Sequence, residues 1–183
     1  MLSSAGSILA KSTILDEIKK GAISISSPFD PKTSLGPASV DLSLGNEFRL
    51  FPKAPCPELT IPIESKTSYK AFGKRIVIPD GKSISLGPGE FMLGITKERI
   101  KLGEHICGLL EGRSRFARCG LFVHVTAPFM APGIDSRQVL ELYNCSPYTL
   151  ELKPGVKVCQ FVFLRTEGVS GSYQGHFHLQ DDV

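Results

Sequence analysis

The feature that most constrains this chain is its punctuation. Between Ile76 and Leu164, short apolar runs are cut by the turn sequences "PDG" (79–81), "GPGE" (87–90), "APG" (131–133) and "KPG" (153–155). The runs are "IVIP", "SISL", "EFMLGITKERI", "ICGLLEG", "GLFVHVTA", "RQVLELYN", "YTLELK" and "VKVCQFVFL", rich in β-branched and aromatic residues. Strands this short and this frequent predict an all-β sandwich or barrel. Glycine (18) and proline (13) make about 17% of the 183 residues, against an average of about 12%, which points the same way. The length suits one domain, and no repeat or linker divides it.

One helix is expected near the start. In "STILDEIKKGAISIS" Ser12 or Thr13 reads as the N-cap, acids fill the first turn, Lys19 and Lys20 the last, and Gly21 stops it. Residues 1–12 read as a mobile leader. Further on, "SVDLSL" alternates Val40, Leu42 and Leu44 with polar residues, a half-buried strand with Asp41 on its polar face. The proline-broken, cationic stretch 51–75 reads as edge strand and exposed loop.

Charge and cysteines narrow the function. A net charge of +3 falls short of the basic surface that duplex nucleic acid requires, whereas a small anion fits. The five cysteines form no CxxC pair, so reduced thiols are expected, with neither a disulfide framework nor structural zinc. No apolar run reaches the roughly 18 residues of a membrane span, and "MLSSAGSILAKS" is too short and too polar for a secretory signal. A soluble, cytosolic protein is expected.

Two sites stand out. In "RQVLELYN" alternation puts Val139, Glu141 and Tyr143 on one face and Leu140 and Leu142 on the other, both largely apolar. An ionised, unpaired carboxylate there costs several kcal/mol by order of magnitude, so Glu141 needs a partner, a raised pKa or a chemical task. A structural ion pair or an edge position remains open beside the functional reading. "EGRSRFARCG" (111–120) reads as a glycine turn, Ser114 as N-cap, one helical turn and Gly120 as stop. Its arginines and backbone N–H groups suit a phosphate or carboxylate, and a solvated basic turn is the alternative. His124, inside "LFVHVTA" with Phe122 and Thr126 on its face, is a core histidine or a catalytic one. His176 and His178 have metal-compatible spacing but sit in what reads as a mobile tail. The zinc deaminase signature and the serine hydrolase elbow are both absent, leaving a carboxylate base beside an anion-binding loop.

Four long stretches carry a resemblance. "GPASVDLSLGNEFRLF", "GPGEFMLGITKERIKL", "EGRSRFARCGLFVHVTA" and "APGIDSRQVLELYN" resemble, in order, the motifs of the dCTP deaminase branch of the trimeric dUTPase superfamily, and "GSYQG" resembles its tail. The resemblance implies a distorted jelly-roll β-barrel in a homotrimer, with active sites between subunits and residues 166–183 closing over nucleotide. It places Arg113, Ser114 and Arg115 in the phosphate loop, with Arg118 and Ser114 catalytic beside the base Glu141. Asp41 falls near metal and phosphates, Val125 and Ala127 where backbone reads the base, and Tyr173 and Gln174 on the substrate-closing tail. It further implies hydrolysis of dCTP to dUTP and ammonia without zinc, magnesium arriving on the triphosphate and no metal held by the protein directly. His124 is then a structural member.

The sequence also departs from that family. Ala131 stands where the family has an aspartate that serves dUTP hydrolysis in the wider superfamily, Arg115 replaces a serine, and Ser136 a glycine. Ser172 and His176 alter the tail. A dUTP diphosphatase, alone or bifunctional, and a nucleotide-binding trimer with little turnover therefore stay open beside the deaminase.

Overall fold

The computed structural model describes residues 8–52, 60–64, 66–168, 170–175 and 177–183. Eight expected runs are strands: β3 (Lys74–Val77), β4 (Ile84–Leu86), β5 (Phe91–Leu102), β6 (Ile106–Gly112), β7 (Leu121–Val123), β9 (Asp135–Asn144), β10 (Leu150–Leu152) and β11 (Lys157–Arg165). "SVDLSL" opens the long β2 (Val40–Leu50), and two short strands, β1 (Ile23–Ile25) and β8 (Phe129–Met130), join them. Helix is confined to α1 (Lys11–Lys19), the single turns α2 (Pro31–Ser34) and α3 (Ser114–Ala117), and a 3-10 turn at Tyr69–Ala71. The all-β expectation with a short N-terminal helix holds.

Some local expectations are corrected. Helix α1 begins after Ala10, which makes no side-chain cap, so Ser12 and Thr13 lie inside its first turn. Gly21 does stop it, at φ +76°. Ile8 bridges Leu164, Leu9 is 3% exposed and Lys11 and Ser12 open α1, so residues 8–12 of the expected leader belong to the fold, with Leu9 alone of them in the core; its first seven lie outside the described residues. Cys56 and His176 also lie outside them. The four described cysteines are free thiols. No described helix is long and apolar enough to cross a membrane.

The main sheet runs β7-β9-β5-β2-β11-β6-β8, with β1 also on β5 and β3 on β2, and curls around a core centred on Phe48, Phe161 and Phe163. β2 joins its two halves, pairing with β11 over Val40–Ser43 and with β5 over Leu44–Leu50. At that crossing both β2 and β5 carry extra residues. Gly45–Glu47 bulge between the pairs Leu44↔Thr96 and Phe48↔Gly94, and Thr96–Glu98 bulge between Ile95↔Val139 and Arg99↔Arg137.

A bulge strands backbone groups, and here buried side chains take them up. The Gln138 N–H donates to Thr96 Oγ1 (2.9 Å), and the Ser43 N–H to Glu98 Oε2 (2.8 Å). Thr96, Glu98 and Gln138 are all within 2% of full burial. Gly45 is required by close approach, since a Cβ there would lie 2.7 Å from the Ile95 carbonyl oxygen.

Helix α1 is held through Glu17, 3% exposed, by hydrogen bonds from Arg165 (2.9 Å) and Lys20 (3.1 Å). Burial alone would raise its pKa, but those bonds and charges outweigh it and hold the carboxyl below its usual value. Such a group contributes stability that is complete above about pH 4.5 and is lost as pH falls through the folded-state value. The melting temperature is expected to fall below about pH 4.5, with Glu17→Gln less stable at neutral pH and flatter in acid. Identical acid limbs in thermal melts would show Glu17 uncoupled from folding. Thr96→Val leaves the Gln138 N–H without its acceptor, so a loss of ~1–3 kcal/mol is expected in urea unfolding.

Candidate functional site

Strand β9 carries the first candidate. Its even positions, Ser136 to Asn144, are buried, and its odd positions, Asp135 to Tyr143, are half-exposed. Glu141 is on the odd face with Asp135 and Arg137, which corrects the expectation of two apolar faces. The strand's alternation is as read; what differs is that this face borders a cavity and not the core. The cavity, of about 630 Å³, is lined by Glu141, His124 and Ala127 and by residues of β8, β9 and the C-terminal segment.

The partners of Glu141 come from the loop after β7. The Thr126 N–H donates to Glu141 Oε2 at 2.6 Å, and its hydroxyl lies 3.1 Å from both carboxylate oxygens. β7 ends at Val123 because His124 adopts φ +64°, turning the chain while its N–H still reaches the Glu141 carbonyl at 2.9 Å. His124 is thus a turn residue beyond the strand, not a strand residue. Its Nε2 lies 2.6 Å from the Ala127 carbonyl, an acceptor only, so Nε2 carries a hydrogen and closes the loop. The ring pins the segment whose middle residue binds the carboxylate.

The arginine stretch forms α3 as one helical turn, with Gly120 at φ +83° ending it as expected. The cap position is Arg113, with Ser114 one place inside, correcting the expected N-cap. Arg113 is anchored in its own chain: Nη2 pairs with Asp41 at 3.2 Å, Nη1 donates to the Lys157 carbonyl at 3.2 Å, and its N–H to the Val158 carbonyl at 3.1 Å. Asp41 is therefore the counter-ion of Arg113. Ser114, Arg115 and Arg118 are exposed.

Within one chain the two candidates do not share a cavity. Ala127, Tyr173 and Glu141 line it; Asp41, Arg113, Ser114, Arg115, Arg118, Val125 and Gln174 do not. Ala131 lines it too, so at that point the wall is a methyl group, and Glu141 is its one carboxylate among the described residues. Sequence reasoning missed Tyr69, Arg137, Gln138, Phe177 and Gln180, which also line it. The even–odd pattern of β9 carried a signal for Arg137, but nothing local showed that the tail and the 3-10 turn meet there. Among the described residues no three His, Cys, Asp or Glu side chains gather as a metal site.

A family model described as "dCTP deaminase-like" matches residues 8–166. A dCTP deaminase of Rhodospirillum rubrum is 37% identical over 158 residues, 85% of this chain and 80% of that protein. A dUMP-forming dCTP deaminase of Methanopyrus kandleri is 39% identical over 153 residues, 78% of this chain and 76% of that protein. The crystal structure of the Agrobacterium tumefaciens 2'-deoxycytidine 5'-triphosphate deaminase superimposes with a TM-score of 0.67 at 17% identity, over 88% of this chain and 49% of that one. At that identity it speaks for the fold, and this chain spans about half of that longer one. The family match over residues 8–166, with relatives 37% and 39% identical over most of the chain, places this chain in the dCTP deaminase-like family.

Proposed function

We propose that the chain hydrolyses dCTP to dUTP and ammonia, with Glu141 moving the protons. The observation that carries this reading is that Glu141 is the one carboxylate lining the described cavity and is oriented by Thr126. Water adds to C4 of the cytosine ring as Glu141 takes its proton and delivers it towards N3. The amino group, protonated in turn, leaves as ammonia while the C4 carbonyl forms, so that water is consumed and no redox partner is needed. Val125 and Ala127, on the turned loop, offer backbone groups to the base.

Ser114 and Arg118 complete the site from a second copy of the chain in this reading, because in one chain they lie outside the cavity. Arg113 and Arg115 then grip the triphosphate, with Tyr173 and Gln174 closing over it. This favours a homotrimer with shared sites. The residues present fit magnesium carried by the nucleotide: Asp41 is a single carboxylate already paired with Arg113, a donor set too small for a protein cage. Magnesium bound to the phosphate oxygens would offset their charge. The free thiols suit the reducing cytosol.

A second reading, in which the chain goes on to dUMP, is favoured by the dUMP-forming relatives. Against it stands Ala131, which gives the cavity no second carboxylate to activate water. Incubation with magnesium and either dCTP or dUTP separates the readings. Expected products are dUTP and ammonia from dCTP and none from dUTP; pyrophosphate would favour the dUMP-forming reading, and binding without turnover a non-catalytic trimer. Glu141→Gln is expected to lower ammonia release by about 10²–10⁴-fold while retaining nucleotide binding. Arg118→Ala is expected to be inactive alone, yet a co-expressed mixture with Glu141→Gln should recover about a quarter of the sites. No recovery in such mixed oligomers would place both groups in one chain's site.

A further inference from the structure

We propose that the wall of the Glu141 cavity around Ala131 leaves the 3'-hydroxyl of a bound nucleotide without a partner, so that the site takes 2',3'-dideoxycytidine nucleotides as readily as deoxycytidine ones. This names the substrate class of the same site and rests on the deaminase reading above. The cavity is asymmetric. Glu141 and the turned loop make one side polar, whereas Phe129, Met130, Ala131 and Ile134 make the neighbouring side apolar.

Chain order ties that apolar wall to the sugar. In the deaminase reading Val125 and Ala127 offer their backbone to the base, and the chain runs on from there into β8 (Phe129–Met130) and Ala131. The unit bonded to the base, the deoxyribose, is thereby set against this wall.

A hydroxyl placed there meets polar side chains that are already engaged. His124 Nε2 is bonded to the Ala127 carbonyl (2.6 Å), Gln138 Nε2 to the Ser136 carbonyl (2.8 Å) and hydroxyl (3.2 Å), and Gln180 Nε2 to the Tyr69 hydroxyl (3.1 Å). Arg137 donates to the Thr96 carbonyl (2.8 Å) and to Glu47 (2.7 Å). The Tyr173 hydroxyl is turned to its own segment, where a Cβ on Gly175 would lie 2.1 Å from it. The main chain around Ala131 is engaged as well. The carbonyls of Pro128, Pro132 and Ile134 accept from the N–H groups of Leu110 (2.9 Å), Tyr173 (2.8 Å) and Leu102 (2.9 Å), and neither proline has an N–H to give.

A hydroxyl that leaves water for such a wall loses hydrogen bonds and gains none, so its removal takes away no contact. A site that bonds a substrate hydroxyl rejects the analogue lacking it by about 10⁴-fold or more, while an apolar pocket discriminates weakly. Ala131 is half-buried and carries only a methyl group, which makes it the position where a hydrogen-bonding side chain would change the wall.

The test compares kcat/KM for ammonia release from dCTP and from 2',3'-dideoxycytidine triphosphate in the unaltered protein, in Ala131→Val and in Ala131→Asn. The two nucleotides are expected to agree within about threefold in the unaltered protein and in Ala131→Val, and Ala131→Asn to prefer dCTP by about tenfold or more. A larger preference for dCTP in the unaltered protein overturns the inference, because it requires a bond to the 3'-hydroxyl. An unchanged ratio in Ala131→Asn that melts like the unaltered protein overturns the role of Ala131. If neither triphosphate releases ammonia, the deaminase reading fails and dissociation constants decide the rest: equal binding upholds the unbonded hydroxyl, and weaker binding of the dideoxy compound, or no binding of either, overturns it.

Discussion

The structure depends on the crossing where β2 leaves one half of the sheet for the other. Two strands bulge at the same place, and each bulge would leave backbone N–H groups buried and unpaired. Thr96 Oγ1 and Glu98 Oε2 accept them instead, while Gly45 lets β2 pass against the Ile95 carbonyl. An unmet buried donor costs more than a typical hydrogen bond contributes, so these few side chains decide whether the sheet can curl. Curling leaves β9 near the end of one half with part of its outer edge open, and the cavity follows from that opening.

The site inherits its geometry from this edge. β7 is too short to cover β9, and the left-handed turn at His124 sends the following loop back across Glu141. Thr126 can then present both its N–H and its hydroxyl to one carboxylate. At the other end the C-terminal segment supplies the carbonyls that β7 does not. One unfinished strand edge thus accounts for the orientation of Glu141, the cavity beside it and the seat of the tail. The arginine turn lies apart from that cavity, on the other half of the sheet's sequence order, beside β6.

Much of this was legible beforehand where local rules govern. The eight apolar runs became strands because period-two alternation and Gly/Pro turns leave little else to form. Gly21 and Gly120 ended their helical turns because each adopts a positive φ that few other residues tolerate. Misreadings fell where distant contacts override local preference. Leu9 belongs to the core through Leu164 and its neighbours, not through anything within residues 1–12. Ser43 looked like a solvent-facing position and is 5% exposed, because its N–H is claimed by Glu98, 55 residues away. His124 read as strand because its neighbours are β-formers, yet bonds to Ala127 and Glu141 stabilise a turn there.

The sequence by itself determined the all-β class, the short N-terminal helix, the family and the residue types available for chemistry, since periodicity, turn residues and motif order are properties of neighbours along the chain. Tertiary structure alone decided that Glu141 faces a cavity bounded by Arg137, that Arg113 is bound to Asp41, and that Val183 is seated beside Arg49. Those outcomes depend on which strand edges remain open after the sheet curls. That is settled by hydrogen-bond satisfaction and packing between segments far apart in sequence, which no local pattern encodes.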